Sequence, residues 1–420
     1  MRITILTLGS QGDVQPYIVL GAALKDAGYD VRLATHANFE GIARAQGLEF
    51  FLLEGNPREM IETEAGQALM ETGPNIVTHV RQLKSMANTM IQQVLSDSWK
   101  ACQGTDAIIH SAFGFGGFYI AKKLGVPSIA AYIMPFTRTR TFPSVTMPQF
   151  RLGGFYNWYS HIFFEQLFWQ TFRSSIEKWI QESLGLPRPS FMGDFGTMHK
   201  RGYPIVYGYS PTVVPKPPDW GERIHVTGYW FLERQTDWQP PPDLVDFLQS
   251  GPPPVYVGFG SMSNRNPEEV TEIVLKALER CKQRGILLTG WGGLSKSELP
   301  AYVYRIESIP FDWLFPQMAA VVHHGGAGTT AACLRAGIPS IIVPFFADQP
   351  FWGERVYRLG AGPKPIPRKQ LTAERLAGAI NTVLGDRRMR KQAEAVGERI
   401  RAEDGVARAV DAIRSYLSAG

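Results

Sequence analysis

The stretch His323-His324-Gly325-Gly326-Ala327-Gly328-Thr329-Thr330 joins an apolar run at residues 319–322 to a segment of helical character that ends near residue 335. The apolar run predicts a buried strand, and the segment after the glycines predicts the first turns of a helix. This order brings backbone N–H groups to face an anion, and glycine lets a phosphate approach the chain closely. We therefore predict a phosphate site formed by His324, Gly326, Gly328, Thr329 and Thr330, with His323 pointing to the opposite side of the strand.

A second polar corner, Asp348 and Gln349, follows the next apolar run, at residues 339–346. That run predicts a neighbouring strand, and ligands of such sheets bind at the carboxyl ends of the strands. A carboxylate beside an amide is suited to hydrogen-bonding sugar hydroxyls. The two corners together indicate a nucleotide-sugar site. Ser261 is a further candidate there, and Trp291 and Trp313 are candidates for stacking on the base.

The rest of the chain alternates short apolar runs with helical patterns in two series. The first series predicts strands at residues 3–8, 31–35, 48–53, 107–111 and 128–131, and the second at residues 255–258, 285–289, 303–306, 320–323 and 340–343. Such alternation predicts an α/β protein whose parallel sheets have helices on both faces. We expect two doubly wound, Rossmann-like halves that face each other across a cleft.

The length of 420 residues favours two domains, because single cores rarely grow beyond roughly 250–300 residues. Proline clusters at residues 215–218, 240–242 and 252–254 indicate a stiff connection between the domains. We predict an N-terminal acceptor-binding domain at residues 1–215, a linker at 216–254 and a donor-binding domain at 255–395. Residues 396–420 are expected to form a helix that packs back on the N-terminal domain.

The composition limits the classes of function. A net charge of +5, without a basic tail, disfavours a nucleic-acid partner. Three scattered cysteines have no metal-site spacing and are typical of a reducing compartment. The start of the chain lacks the pattern of a signal peptide, and no apolar stretch reaches about 18 residues. We expect a cytoplasmic location, either in solution or peripheral to a membrane.

The turn Gly9-Ser10-Gln11-Gly12-Asp13-Val14-Gln15-Pro16 follows the first predicted strand. It lacks the third glycine of a dinucleotide-binding fingerprint, and no acidic residue ends the second strand, so a nicotinamide cofactor is disfavoured. At this corner Asp13 is positioned either to accept a proton from a hydroxyl or to cap the following helix. Beside a sugar-donor site the first role is favoured, so we expect Asp13 to be a general base, with Ser10 close to the acceptor.

Residues 155–169 are unusually rich in aromatic side chains. Two interpretations remain open. One is a buried pair of helices, and the other is an apolar acceptor pocket with some of the rings at a membrane surface. On the second interpretation, the acceptor-binding residues are Phe136, Phe155, Trp158, Phe163 and Trp169.

These motifs resemble the UDP-glycosyltransferase superfamily, the family 1 glycosyltransferases, at residues 311–317, 324–330 and 348–349. Within it, residues 9–16, 312–316 and 344–353 are most similar to the sterol glucosyltransferase branch. Bacterial glycosyltransferases that decorate antibiotics share much of this pattern. The resemblance implies the GT-B fold. It also implies inverting transfer of a hexose from a nucleotide sugar, commonly UDP-glucose, with no metal and no other cofactor.

One departure from the superfamily concerns the base. Many relatives use a histidine with an aspartate after the fourth strand, whereas this chain has Asp13 and ends that strand with Ile108-Ile109-His110-Ser111. This resembles the branch in which the early-loop aspartate is itself the base, with assistance from His110 left open. No Asp-x-Asp triplet occurs, which disfavours a metal-held diphosphate.

Other functions remain open at this point. A transferase acting on an antibiotic, polyketide or lipid acceptor with a UDP- or dTDP-sugar would share these motifs. So would a nucleotide-sugar epimerase or hydrolase, or a non-catalytic binding module. The oligomeric state has no signature in the sequence.

Overall fold

The computed structural model describes residues 1–54, 76–233, 238–259, 267–289 and 299–418. The described chain forms two separate β-sheets, and every strand pair in both sheets is parallel. Within these residues, no helix combines the length and the apolar character that crossing a bilayer requires.

The first sheet has the strand order β3-β2-β1-β4-β5-β6-β7. Its strands are β1 (Arg2–Leu6), β2 (Asp30–Thr35), β3 (Glu49–Leu52), β4 (Ala107–His110), β5 (Ser128–Tyr132), β6 (Ile205–Tyr207) and β7 (Ile224–Val226). The helices of this half are α1 (Gln11–Asp26), α2 (Glu40–Ala45), α3 (Ile76–Ala101), α4 (Gly116–Leu124), α5 (Gly153–Glu182) and α6 (Phe195–Lys200).

Alternate residues of β1 pack into two different cores, as the period of a strand requires. Ile3 and Ile5 pack against α1 in one core, whereas Leu6 belongs to a second core with residues of α3, α4 and α5. Both faces of the sheet are therefore covered, which explains why its strands are continuous apolar runs.

The second sheet has the strand order β10-β9-β8-β11-β12. Its strands are β8 (Val255–Gly258), β9 (Gly285–Leu288), β10 (Val303–Ile306), β11 (Ala320–His323) and β12 (Ser340–Ile342). The later helices are α7 (Pro242–Gln249), α8 (Pro267–Cys281), α9 (Phe311–Leu314), α10 (Ala327–Ala336), α11 (Gln349–Arg358), α12 (Ala373–Gly385), α13 (Arg387–Arg401) and α14 (Gly405–Ser418). The predicted fold class, two Rossmann-like α/β domains, is confirmed.

The first sheet extends further along the chain than the proline pattern indicated. β7 lies within residues 216–254, which were assigned to the linker, and β6 also went unpredicted. Both are three-residue strands next to proline-rich segments, too short to show a period of their own. The end predicted for the second domain, residue 395, falls inside α13.

The chain passes between the domains at two places that touch each other. The first passage follows β7 and includes Gly228, and the second includes Gly405, at the start of α14. α14 packs against α1, and Ala409 and Ile413 are fully buried in the core of the first domain. A Cβ added to Gly405 would lie 2.5 Å from the carbonyl carbon of Gly228 and 2.5 Å from the carbonyl oxygen of Tyr229. Only glycine allows the two passages to cross this closely.

We expect Gly405→Ala to lower the free energy of unfolding by about 1–3 kcal/mol, because its methyl group would clash with backbone atoms that have no freedom to move aside. Gly378→Ala is the matched control, since a Cβ there meets nothing within 4 Å. Because Gly378 lies inside α12 and alanine favours the helix more than glycine does, this control should raise the free energy of unfolding by up to about 1 kcal/mol. Urea denaturation of both variants measures the difference, and equal stabilities would contradict the close crossing.

Candidate active site

The N-termini of α1 and α10 meet at the carboxyl edges of the two sheets. α1 contacts α10, and a Cβ added to Gly328 would lie 3.9 Å from the Cα of Gly12. One continuous cavity of about 2730 Å³ runs past this contact into the first domain. Both helix N-termini direct their positive dipole ends and free N–H groups towards this region, which favours an anionic ligand.

Asp13 lies in the first turn of α1 and lines the cavity. Its Oδ2 accepts hydrogen bonds from the Ser10 backbone N (2.9 Å) and from the Ser10 hydroxyl (2.8 Å). Burial raises the pKa of the Asp13 carboxyl above its ordinary value, and the two bonds from Ser10 only partly oppose this effect. The Asp13 carboxylate therefore takes part in capping the helix and is also available as a base, and Ser10 holds it in place.

Gly9 makes room for the Asp13 side chain. Its φ of +129° is a conformation that side chains rarely adopt, and a Cβ there would lie 2.6 Å from Asp13 Oδ2. The Gly9 N–H donates to Nε2 of the buried His36 at 3.3 Å. His36 Nδ1 lies 3.2 Å from the Leu53 carbonyl oxygen, so its proton is on Nδ1. Sequence reasoning missed His36, because the residue follows β2 rather than the glycine turn.

His110 lines the same cavity but is engaged elsewhere. Its Nδ1 lies 3.2 Å from the Ser111 carbonyl oxygen and its Nε2 lies 3.1 Å from the Tyr203 hydroxyl. Burial lowers the pKa of His110 to about 4. Both ring nitrogens have partners other than Asp13, so this arrangement gives no direct contact between His110 and the predicted base.

On the opposite side of the cavity, His324 precedes the N-terminus of α10. Its Nδ1 is buried and has no hydrogen-bond partner among the described residues, and burial lowers the pKa of the ring to about 4. The neutral ring lines the cavity, and Nε2 is the nitrogen that is not enclosed by protein. His323 instead points into the protein, where its Nδ1 accepts from the Gly325 N–H at 3.1 Å. Burial lowers the pKa of His323 to about 3.

The second predicted corner also lies on the cavity. Asp348 Oδ2 accepts from Trp352 Nε1 at 2.7 Å, and Gln349 Oε1 accepts from the Phe345 N–H at 2.7 Å. Burial, with a further contribution from the charge of Asp13, raises the pKa of Asp348 to about 6. The carboxylates of Asp13 and Asp348, one from each domain, are therefore close enough for an electrostatic interaction across the cleft.

The remaining donor candidates are placed differently. Gly326, Gly328 and Thr329 line the cavity. Thr330 is fully buried on the side of α10 that faces the protein core, and its hydroxyl has no hydrogen-bond partner in the part of the chain that the structure describes. Trp313 packs against Trp238, which lines the cavity, with ring centroids 5.4 Å apart. Ser261 and Trp291 lie outside the described residues.

An aromatic pocket extends the cavity into the first domain. Phe136 stacks on Phe164 with ring centroids 6.3 Å apart, and Trp169 donates from Nε1 to the Phe191 carbonyl oxygen. Of the predicted acceptor residues, Ser10, Phe136 and Trp169 line the cavity. Further lining residues are Phe118, Tyr132, Phe164, Phe168, Phe172 and Met198. The four-residue spacing of Phe164, Phe168 and Phe172 was the signal that could have identified them.

Three predicted acceptor residues do not line this pocket. Phe155 and Phe163 are 75% and 57% exposed on the outer side of α5. Trp158 packs its ring against His199, with centroids 5.5 Å apart, and only His199 lines the cavity. These assignments are corrected here: aromatic residues occur on every side of this helix, so the run alone did not identify the side that faces the pocket.

One ion pair interrupts the apolar pocket wall. The Nε of Arg138 lies 3.0 Å from both carboxylate oxygens of Glu165, and both residues line the cavity. Burial nevertheless raises the pKa of Glu165, although Arg138 opposes the shift. Elsewhere among the described residues, no group of three or more metal-ligating side chains is arranged to hold a metal ion.

We expect the stability of the protein to respond to Asp348→Asn in a pH-dependent way. The folded pKa of about 6 lies above the ordinary value of 3.8. The folded state therefore binds the proton more tightly, and the wild type loses stability as pH rises from about 4 to 6. The variant should be stabilising by roughly 1 kcal/mol near pH 4.5 and by at most roughly 3 kcal/mol near pH 7.5. Denaturant titrations at both pH values test this, and an equal difference at each would contradict it.

Comparison with known proteins extends over the whole chain. Residues 3–143 match the model of the glycosyltransferase family 28 N-terminal domain. Residues 289–412 match the erythromycin biosynthesis protein CIII-like C-terminal domain.

Two solved structures share the fold. The calicheamicin glycosyltransferase CalG4 superposes with a TM-score of 0.71 at 20% identity, covering 99% of this chain and 98% of that one. The glycosyltransferase of kitacinnamycin superposes with a TM-score of 0.73 at 18% identity, covering 99% of each chain. At these identities the likeness concerns the fold alone.

Closer relatives are found by sequence. The chain is 42% identical to a sterol 3-beta-glucosyltransferase of Pichia angusta over 99% of its length, which is 33% of that protein. It is 40% identical to one of Arabidopsis thaliana, covering 99% of this chain and 68% of the relative. The chain thus spans about a third of the fungal relative and two thirds of the plant one. With this identity over most of the plant relative, and with the fold and the cleft described above, the chain belongs to the sterol 3-beta-glucosyltransferase family of GT-B glycosyltransferases.

Proposed function

We propose that the protein transfers glucose from UDP-glucose to a hydroxyl group of a sterol or a sterol-like apolar acceptor, with inversion at the anomeric carbon and without a catalytic metal. The observation that carries the proposal is the position of Asp13. This one carboxylate borders both the aromatic pocket and the N-terminus of α10. The names of the relatives, at 40% identity and above in the two cases described, support the choice of sugar and acceptor.

The proposed base is Asp13. As the acceptor oxygen attacks the anomeric carbon, Asp13 takes the proton of that hydroxyl, and the bond between this carbon and the diphosphate oxygen breaks on the opposite face. Its raised pKa makes the carboxylate a stronger base than an exposed aspartate. The hydrogen bonds from Ser10 hold it in one orientation.

Stabilisation of the leaving diphosphate is assigned to α10 and His324. The helix begins at Ala327, so its first N–H groups face the cavity without partners inside the helix. Oriented N–H groups, together with a His324 N–H donated into the cavity from Nε2, stabilise negative charge that grows as the bond breaks. This is the chemistry that a bound metal would otherwise supply.

The hexose is assigned to Asp348 and Gln349. Oδ2 of Asp348 is occupied by Trp352, which leaves Oδ1 for a sugar hydroxyl. Gln349 Oε1 is occupied by backbone N–H groups, and this bonding fixes the turn before α11. Gln349 therefore also holds in place the turn that positions Asp348.

The alternatives differ in their support. Only fold neighbours below 25% identity favour transfer to an antibiotic, polyketide or lipid acceptor from a UDP- or dTDP-sugar. An epimerase or hydrolase needs no acceptor pocket, so the aromatic cavity disfavours it. A non-catalytic binding module gives no reason for a partly buried carboxylate beside the donor helix.

We also propose a location for the enzyme. Because sterols reside in lipid, the enzyme works at the cytoplasmic surface of a membrane.

We expect Asp13→Asn to lower kcat by about 10²–10⁴-fold, the range typical of a lost general base, while the affinity for UDP changes little. Asp26→Asn is the matched control, because Asp26 is exposed at the other end of the same helix. Initial rates and calorimetric titration with UDP test the pair. A turnover near that of the wild type in Asp13→Asn would exclude the assignment.

Product analysis tests the choice of acceptor. UDP-glucose is incubated, with no metal added, with a panel of sterols, triterpenoids, macrolides and flavonoids, and the products are measured by mass spectrometry. We expect a gain of one hexose on the sterols or triterpenoids. A gain only on macrolides or flavonoids would remove the sterol proposal, and free glucose or an isomerised nucleotide sugar would favour a hydrolase or an epimerase.

A further inference from the structure

The outer side of α5 carries a stripe of exposed apolar side chains. Leu152, which caps the helix, and Phe155, Tyr159, Phe163 and Leu167 on it are each between 53% and 75% exposed. Their spacing of three to four residues aligns them along one side of the helix. From the first to the last, the stripe is roughly 22 Å long at 1.5 Å per residue.

A neighbouring loop extends this surface. Phe191 and Met192 are at least half exposed, and their carbonyl oxygens accept hydrogen bonds from Trp169 and Gln166 of α5. We call the five residues of the stripe, together with Phe191 and Met192, the outer surface. Among the described residues, eight of the thirteen exposed large hydrophobic side chains lie between residues 150 and 192. Such clustering marks an interaction site, whereas single exposed apolar residues do not.

The charges around the outer surface favour an anionic partner. Between residues 144 and 177 the acidic residues are Glu165 and Glu177, and each is paired with an arginine, Arg138 and Arg173. Lys200 and Arg201 are exposed and directly follow His199, whose ring packs against Trp158 of α5. Exposed aromatic rings beside cationic side chains are typical of a helix that lies in the headgroup region of a bilayer.

The same helix forms a wall of the acceptor pocket. Phe164, Phe168 and Phe172 face the cavity, whereas Phe163 and Leu167, each one position earlier than a pocket residue, face the outside. The outer surface and the pocket are thus separated by the thickness of one helix. A partner bound to the outer surface therefore lies one helix thickness away from the aromatic wall of the pocket.

We propose that the outer surface docks on a lipid bilayer containing anionic lipid, so that a lipid acceptor passes from the leaflet into the pocket without crossing water. This inference rests on the proposed function for the identity of the acceptor, but not for the docking. A second copy of the chain is the less suitable partner, because two copies related by a twofold axis would bring the basic residues at this surface together.

The test uses vesicles of phosphatidylcholine with about 30% phosphatidylserine, with and without sterol, and measures co-flotation of the full chain. The variant Phe155→Ser/Tyr159→Ser/Phe163→Ser/Leu167→Ser should partition into the vesicle fraction at least about tenfold less than the wild type, since four large apolar contacts are lost. The control Leu52→Ser/Tyr357→Ser changes exposed apolar residues outside the outer surface. It should float like the wild type.

Activity separates docking from damage to the pocket. The fourfold variant should glucosylate sterol presented in cyclodextrin at nearly the wild-type rate and lose rate only with sterol in vesicles. Equal flotation of variant and wild type would overturn the proposal, as would an equal loss of rate in both presentations. A wild-type dimer that dissociates in the variant, with flotation unchanged, would assign the surface to a second copy. If the wild type does not glucosylate sterol presented in cyclodextrin, the proposed function is contradicted. The flotation result would still decide whether the outer surface docks on a bilayer.

Discussion

The close approach of two helix N-termini is the constraint on which the rest of the site depends. Gly12 of α1 and Gly328 of α10 face each other with no side chain between them, so the backbones of the two domains come within contact distance. Asp13 and Asp348 both line the cavity beside this approach, and burial raises the pKa of both carboxyls. The same approach directs two helix dipoles at one point, which favours an anionic ligand there.

Glycine has a second use at the other end of the interdomain contact. Gly228 and Gly405 let two passages of chain cross where a methyl group would meet backbone atoms. α14 then returns to pack on α1, the helix that carries the proposed base. The position of Asp13 is therefore set at the N-terminus of its helix by Ser10 and Gly9, and along the side of the helix by α14.

Helix α5 illustrates where sequence reasoning reached its limit. Its aromatic content left two interpretations open, a buried helix pair and an acceptor pocket, and one side of the helix does line an aromatic cavity. Phe155 and Phe163 were nevertheless assigned to the wrong side, because a helix with aromatic residues all round has no apolar stripe from which to identify its buried side. Thr330 was misplaced for a similar reason: adjacent threonines in a helix point in directions about 100° apart, and packing decides which one is buried.

The sequence by itself determined what depends on local chemistry. This includes the two βα series, the glycine turns after β1 and β11, and the polar residues that follow them, since strand period and backbone freedom are properties of short segments. Only the tertiary structure decided what depends on distant segments meeting. The charge of Asp13 reaches Asp348, the Gly9 N–H binds His36, and Gly228 crosses Gly405, although each pair is far apart along the chain. Packing of whole domains sets these distances, and no local pattern encodes them.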